Sequence, residues 1–101
     1  MKKFKYLITS DEGLHARPAA EFCKTANKFK SSVTIIKDGD EYEGKSILMV
    51  MSMGAVKGDL LEIIVNGIDE NEASDELIKT LNMEWYVWKY IKEFQVPKVF
   101  Q

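Results

Sequence analysis

Apolar and polar side chains alternate along residues 3–9, with Phe4, Tyr6 and Ile8 on one face and Lys3, Lys5 and Thr9 on the other. A period of two is the signature of a half-buried strand. After the Asp11-Glu12-Gly13 break, Ala19, Phe22, Cys23, Ala26 and Phe29 recur at helical spacing, which predicts a helix over about 16–29 with one buried face. Residues 33–37 are rich in β-branched side chains, and Asp38-Gly39 supplies the positive φ angles of a two-residue turn before residues 40–43. A hairpin of two strands follows from that. Ser46 then precedes Ile47, Leu48, Met49, Val50 and Met51, with Gly54 behind them, and this reads as an N-cap, a short helix and a glycine stop. Over residues 60–65, Leu61, Ile63 and Val65 share one face of a strand opposite Glu62, closed by Asn66-Gly67. Asp69 followed by Glu72 has the spacing of a capping box, and Ala73, Leu77 and Leu81 continue it as a helix from about residue 70.

The order is β-α-β-β-α-β-α. Strands with one polar face, and three helices to cover the other, assemble as an α/β (α+β) two-layer sandwich. No internal repeat or low-complexity stretch interrupts it.

Composition narrows the chemistry. The 101 residues are 46% hydrophobic and 30% charged, the range of one globular domain. Fourteen Lys and Arg against sixteen Asp and Glu give a net charge of −2, with the basic residues dispersed, so no nucleic-acid footprint is indicated. The longest apolar run, residues 47–51, is far short of the ~20 residues of a membrane span. Cys23 has no second cysteine to pair with, and the N-terminal residues lack the pattern of a secretory leader, so a cytoplasmic setting is expected. One histidine, His15, and one cysteine leave no common zinc arrangement, so no metal is expected.

His15 falls where the N-cap of the first helix would sit. Backbone N–H groups of Ala16 and Arg17 then belong to the first turn and have no intrahelical acceptor, while Pro18 has no N–H to lose. Arg17 adds a planar, permanently charged fork suited to phosphoryl oxygens. Positive potential from the helix end and Arg17 disfavours a protonated ring and keeps the imidazole a nucleophile, and the same N–H groups suit the phosphate it would then carry. Spacing alone favours a plain helix cap with a solvated arginine.

Gly13-Leu14-His15-Ala16-Arg17-Pro18-Ala19, then Gly44-Lys45-Ser46-Ile47, Met51-Ser52-Met53-Gly54 with Lys57-Gly58, and Gly67-Ile68-Asp69-Glu70-Asn71-Glu72-Ala73 follow in order. Together they closely resemble the HPr family, the histidine phosphocarriers of the bacterial sugar phosphotransferase system, over about residues 3–82. The resemblance implies that His15 accepts a phosphoryl group through Nδ1 from phosphorylated enzyme I and passes it to IIA domains, with Arg17 as anion partner and no independent turnover. It also implies an open-faced sandwich whose four-stranded antiparallel sheet carries its helices on one side.

Ser46 has a structural role as an N-cap. In the Gram-positive branch, which the Met-rich run 49–53 resembles, the serine at this place is phosphorylated by an ATP-dependent HPr kinase/phosphorylase. The rival reading is therefore a regulatory module that acts through Ser46 phosphorylation and a transcriptional regulator. Ile47, Leu48 and Met51 cannot all face the core from so short a helix, so at least two should be exposed as a docking patch. In the family this surface, bordered by Ala20, meets enzyme I and the IIA domains; partial burial of Leu48 under a loop is the alternative.

Two features depart from the family. Glu12 stands where relatives usually carry a small polar residue, and a carboxylate near His15 would repel phosphate. Residues 83–101 form an extension beyond the 1–82 HPr-like domain, holding Trp85, Tyr86, Trp88, Tyr90, Phe94 and Phe100, six of the eleven aromatics. A helix continued to about residue 94 would carry two apolar stripes, and Trp85-Tyr86-Val87-Trp88 suits a strand as well. Either way the segment is expected to pack on the domain or to mediate self-association.

Overall fold

The computed structural model describes residues 1–82 and 99–100. Its elements are β1 (Lys2–Leu7), α1 (Ala16–Ala26), β2 (Ser32–Lys37), β3 (Asp40–Glu43), α2 (Ile47–Ser52), β4 (Leu60–Asn66), α3 (Glu70–Leu81) and β5 (Val99–Phe100). The sheet order is β3-β2-β4-β1-β5, antiparallel at every pairing. This is the expected element order and four-stranded open sheet, with a two-residue strand added along the outer edge of β1.

Register explains the core. Phe4 lies opposite Ile63, which lies opposite Ile35, while Val33 faces Val65 and Tyr6 faces Leu61. Alternation places these side chains on one face of the sheet. Phe4, Val33, Ile35, Leu61, Ile63 and Val65 are buried there beneath Ala19, Phe22, Cys23 and Ala26 of α1 and Ala73, Leu77 and Leu81 of α3. Asp38 and Gly39, at φ of 52° and 84°, make the two-residue turn between β2 and β3.

Two local expectations change. The first helix ends at Ala26, not near 29, because the Asn27 side-chain amide donates to the Cys23 carbonyl at 2.8 Å and to the Lys45 carbonyl at 2.9 Å. Lys28 and Phe29 then bond back to Thr25 and Ala26 in tighter turns, and Phe29 still packs against the core. Asp69 is the N-cap residue of α3, but its side chain does not cap the helix. Its carboxylate instead accepts from the Lys30 N–H and the Ser31 N–H, each at 2.9 Å, and from the Ser31 hydroxyl. The neighbouring Glu70 reaches back to the Gly67 N–H at 3.1 Å.

The proposed continuation of the last helix to about residue 94, and the strand alternative at 85–88, lie outside the described residues. Val99 and Phe100 pair with Tyr6 and Lys5 of β1.

Candidate functional site

The loop from β1 to α1 is held at nearly every residue. Ile8 bonds to Asp59 and Gly58 bonds to Ile8, at 2.9 and 2.8 Å. Gly13 donates to the Ser10 carbonyl at 2.9 Å, and the Glu12 N–H to the Ser10 hydroxyl at 3.2 Å. Leu14 donates to the Ala55 carbonyl at 3.1 Å. Gly13 sits at φ of 68°, and a Cβ there would stand 2.5 Å from the Ala55 oxygen, so only glycine lets the loop lie this close.

His15 consequently becomes the N-cap residue of α1, in an extended conformation at φ −81° and ψ 179°. Its carbonyl accepts from Ala19 at 3.2 Å, while its side chain makes no capping bond. The imidazole therefore projects from the helix end with its side chain 30% exposed. Ala16 and Arg17 open the helix and are exposed, as is Ala20, and the first turn contains no acidic residue to occupy the positive end. Among the described residues Glu12 is the acid that reaches the ring: its Oε1 lies 3.6 Å from His15 Nε2. The adjacent Asp11 is engaged differently, by Lys57 at 2.7 Å, and that contact holds the Asp11 carboxyl below and the Lys57 ammonium above their ordinary ranges.

Ser46 is the N-cap of α2, and its hydroxyl accepts from the Met49 N–H at 3.2 Å. The cap is fixed against the end of α1 by Asn27, bonded to the Lys45 carbonyl, and by Lys45 Nζ, bonded to the Phe29 carbonyl at 2.8 Å. Val50 alone in α2 is buried. Ile47, Leu48 and Met51 are 44%, 79% and 43% exposed, so the three α2 members of the expected docking patch face outward beside the exposed Ala20, and Leu48 is not tucked under a loop. Met49 joins them, a residue missed because six residues are too few to show a stripe. α2 packs against α1, the helix at whose N-terminus His15 stands.

Cys23 is buried, and burial first, the Glu43 charge second, push its thiol up, which makes it an inert core residue. Among the described residues no cluster of His, Cys, Asp and Glu could hold a metal ion, and no helix is long and apolar enough to cross a membrane.

Comparison with known proteins places this arrangement. A family model described as the PTS HPr component phosphorylation site matches residues 2–83. The phosphocarrier protein HPr of Buchnera aphidicola from Acyrthosiphon pisum is 40% identical over 70 residues, covering 69% of this chain and 82% of the relative. The solved histidine-containing phosphocarrier protein of a mycoplasma superposes with a TM-score of 0.77 at 39% identity, over 79% of this chain and 91% of that one. Crh, a catabolite-repression protein of Bacillus subtilis solved as a swapped dimer, gives 0.63 at 39% identity, over 73% and 85%.

Proposed function

The chain belongs to the HPr family of phosphotransferase-system phosphocarriers, and from that premise we propose that His15 accepts a phosphoryl group from phosphorylated enzyme I and passes it to IIA domains in sugar transport, in the cytoplasm. The observation that carries this reading is the place of His15: an N-cap residue whose side chain takes no part in capping and stands at a helix end whose first turn holds no acid. In the transfer, Nδ1 attacks phosphorus, the bond from phosphorus to the donor nitrogen of enzyme I breaks, and the N–H groups of Ala16 and Arg17 with the Arg17 side chain face the new dianion. The reverse steps deliver it to a IIA domain. Ala20, Ile47, Leu48 and Met51 serve as the apolar surface on which both partners dock.

The family match ends at residue 83, which supports a division into an HPr-like domain, 1–82, and an extension, 83–101. The extension either packs on the domain, which the pairing of Val99 and Phe100 with β1 supports, or mediates self-association, for which the swapped dimer of the related Crh is a precedent only in showing that a relative self-associates. A concentration series in sedimentation tests it.

Incubation with phosphoenolpyruvate and enzyme I, followed by intact mass spectrometry at neutral to alkaline pH, tests the carrier reading. One acid-labile phosphoryl group on the wild type and none on His15→Ala is the expected result. No label, under conditions that phosphorylate a control HPr, refutes it for that enzyme I.

Similarity to Crh and the capping position of Ser46 favour a second reading, a regulatory module phosphorylated at Ser46 and read by a transcriptional regulator. ATP with HPr kinase/phosphorylase should then add an acid-stable phosphate that Ser46→Ala cannot accept.

A further inference from the structure

Glu12 makes a contact that the carrier reading leaves unused. We propose that Glu12 is a positioning residue for His15: its carboxylate, beside Nε2, keeps the ring proton on that nitrogen and so presents the lone pair of Nδ1 for phosphoryl transfer. This rests on the carrier reading for the identity of the transferred group, though not for the geometry.

The 3.6 Å separation is that of an ion pair, too long for a hydrogen bond in itself. What gives it weight is the backbone that carries it. Glu12 and His15 are three residues apart on a loop whose residues 12, 13 and 14 donate to Ser10 Oγ, the Ser10 carbonyl and the Ala55 carbonyl. The main chain beneath both side chains is thereby fixed, which keeps the Glu12 carboxylate within reach of the ring. Asp11, next in the chain, turns to Lys57 instead. Of the two adjacent acids, one is paired with a lysine and the other stands at the imidazole.

An imidazole places its two nitrogens on different sides of the ring. A carboxylate at Nε2 lies on the side away from a phosphoryl group on Nδ1, which limits the repulsion expected from the sequence. It also favours the tautomer with hydrogen on Nε2, because that hydrogen faces the negative oxygen. During transfer the Nδ1–phosphorus bond forms as the donor's bond to phosphorus breaks. Nε2 keeps its proton throughout, and the ring passes from neutral to positively charged. A carboxylate beside Nε2 offsets that charge without moving a proton. The Glu12 side chain is 68% exposed, so water screens the effect to the scale of a surface ion pair.

Long-range proton–nitrogen correlation spectra of the full chain, labelled at histidine nitrogen, read the tautomer ratio directly in wild type, Glu12→Gln and Glu12→Ala. Under conditions where the ring is neutral, Glu12→Ala should raise the share of the Nδ1–H form about twofold to fivefold, with Glu12→Gln in between, since its amide oxygen still accepts without the charge. Single-turnover transfer from phosphorylated enzyme I should slow by a similar factor. Exposure of Glu12 means the variants keep the fold, which their amide spectra verify. An unmoved tautomer ratio overturns the proposal, and so does a Glu12→Ala variant that accepts phosphate as fast as wild type. If the wild type accepts no phosphate at all, the carrier reading fails instead, and the tautomer ratio alone decides the role of Glu12.

Discussion

Asp69 and Ser31, far apart in sequence, are joined twice: one carboxylate oxygen accepts both the Ser31 N–H and the Ser31 hydroxyl. With the Lys30 N–H on its other oxygen, the carboxylate ties the start of α3 to the turn before β2. The Ser31 hydroxyl and the backbone N–H groups hold the Asp69 carboxyl down at about 2 from an ordinary 3.8. A depressed acid stabilises the fold above its unfolded value and ceases to do so as it is protonated. The contribution should be complete above about pH 5 and fade as pH falls from about 4 to 2. Urea titrations across that interval should show wild type losing stability more steeply than Asp69→Asn, and parallel profiles would sink the assignment.

Gly13→Ala tests the loop that carries His15. A methyl group would meet the Ala55 carbonyl and hold a non-glycine residue at φ of 68°, at a cost of about 1–3 kcal/mol. Thermal unfolding should register the loss. Phosphoryl acceptance should fall further than that of a surface variant of equal stability, because the displaced loop carries the imidazole with it.

Leu48 and Val50 are two residues apart on α2 and should separate docking from folding. Leu48→Ala, at a position 79% exposed, is expected to change stability by less than ~0.5 kcal/mol while raising the KM for enzyme I. Val50→Ala removes a buried side chain, worth about 1.5–3 kcal/mol in stability, and should leave that KM near wild type at temperatures where the protein stays folded. Exchange of these two outcomes would move the docking surface elsewhere.

Replacing Ser46 separates its two roles. Ser46→Ala loses the hydroxyl that accepts from Met49 and should cost about 1 kcal/mol with transfer to His15 little altered. Ser46→Asp keeps an acceptor at the cap, so stability should hold, whereas its negative charge on the docking side should slow transfer. Equal transfer rates for the two variants would remove charge as the regulatory element.

Strand positions were legible because burial obeys a simple period. Phe4, Val33 and Ile35, and Leu61, Ile63 and Val65 sit at alternating strand positions and are the buried residues of the sheet. The Ser46 cap and the Asp38-Gly39 turn were legible for a similar reason, each being decided within a few residues. What escaped depends on distant partners. Asn27 stops α1 through the carbonyl of Lys45, and no local pattern announces that acceptor. Asp69 and Glu72 have capping-box spacing, but the carboxylate finds three better-placed donors across the fold. At the site, the N-cap place of His15 was readable from Pro18 and the helical stripe. The side of the ring on which Glu12 stands required the loop geometry that Gly13, Ser10 and Ala55 impose.

The antiparallel pairing of β1 with β4 has a consequence for the order of synthesis. β1 leaves the ribosome before both of its neighbours in the sheet, residues 60–66 on one side and 99–100 on the other. Until they arrive, Phe4 and Ile8 have no sheet to enter, while the β2–β3 hairpin can already close through Asp38-Gly39. A nascent chain must therefore hold β1 unpaired until residues 60–66 have been made.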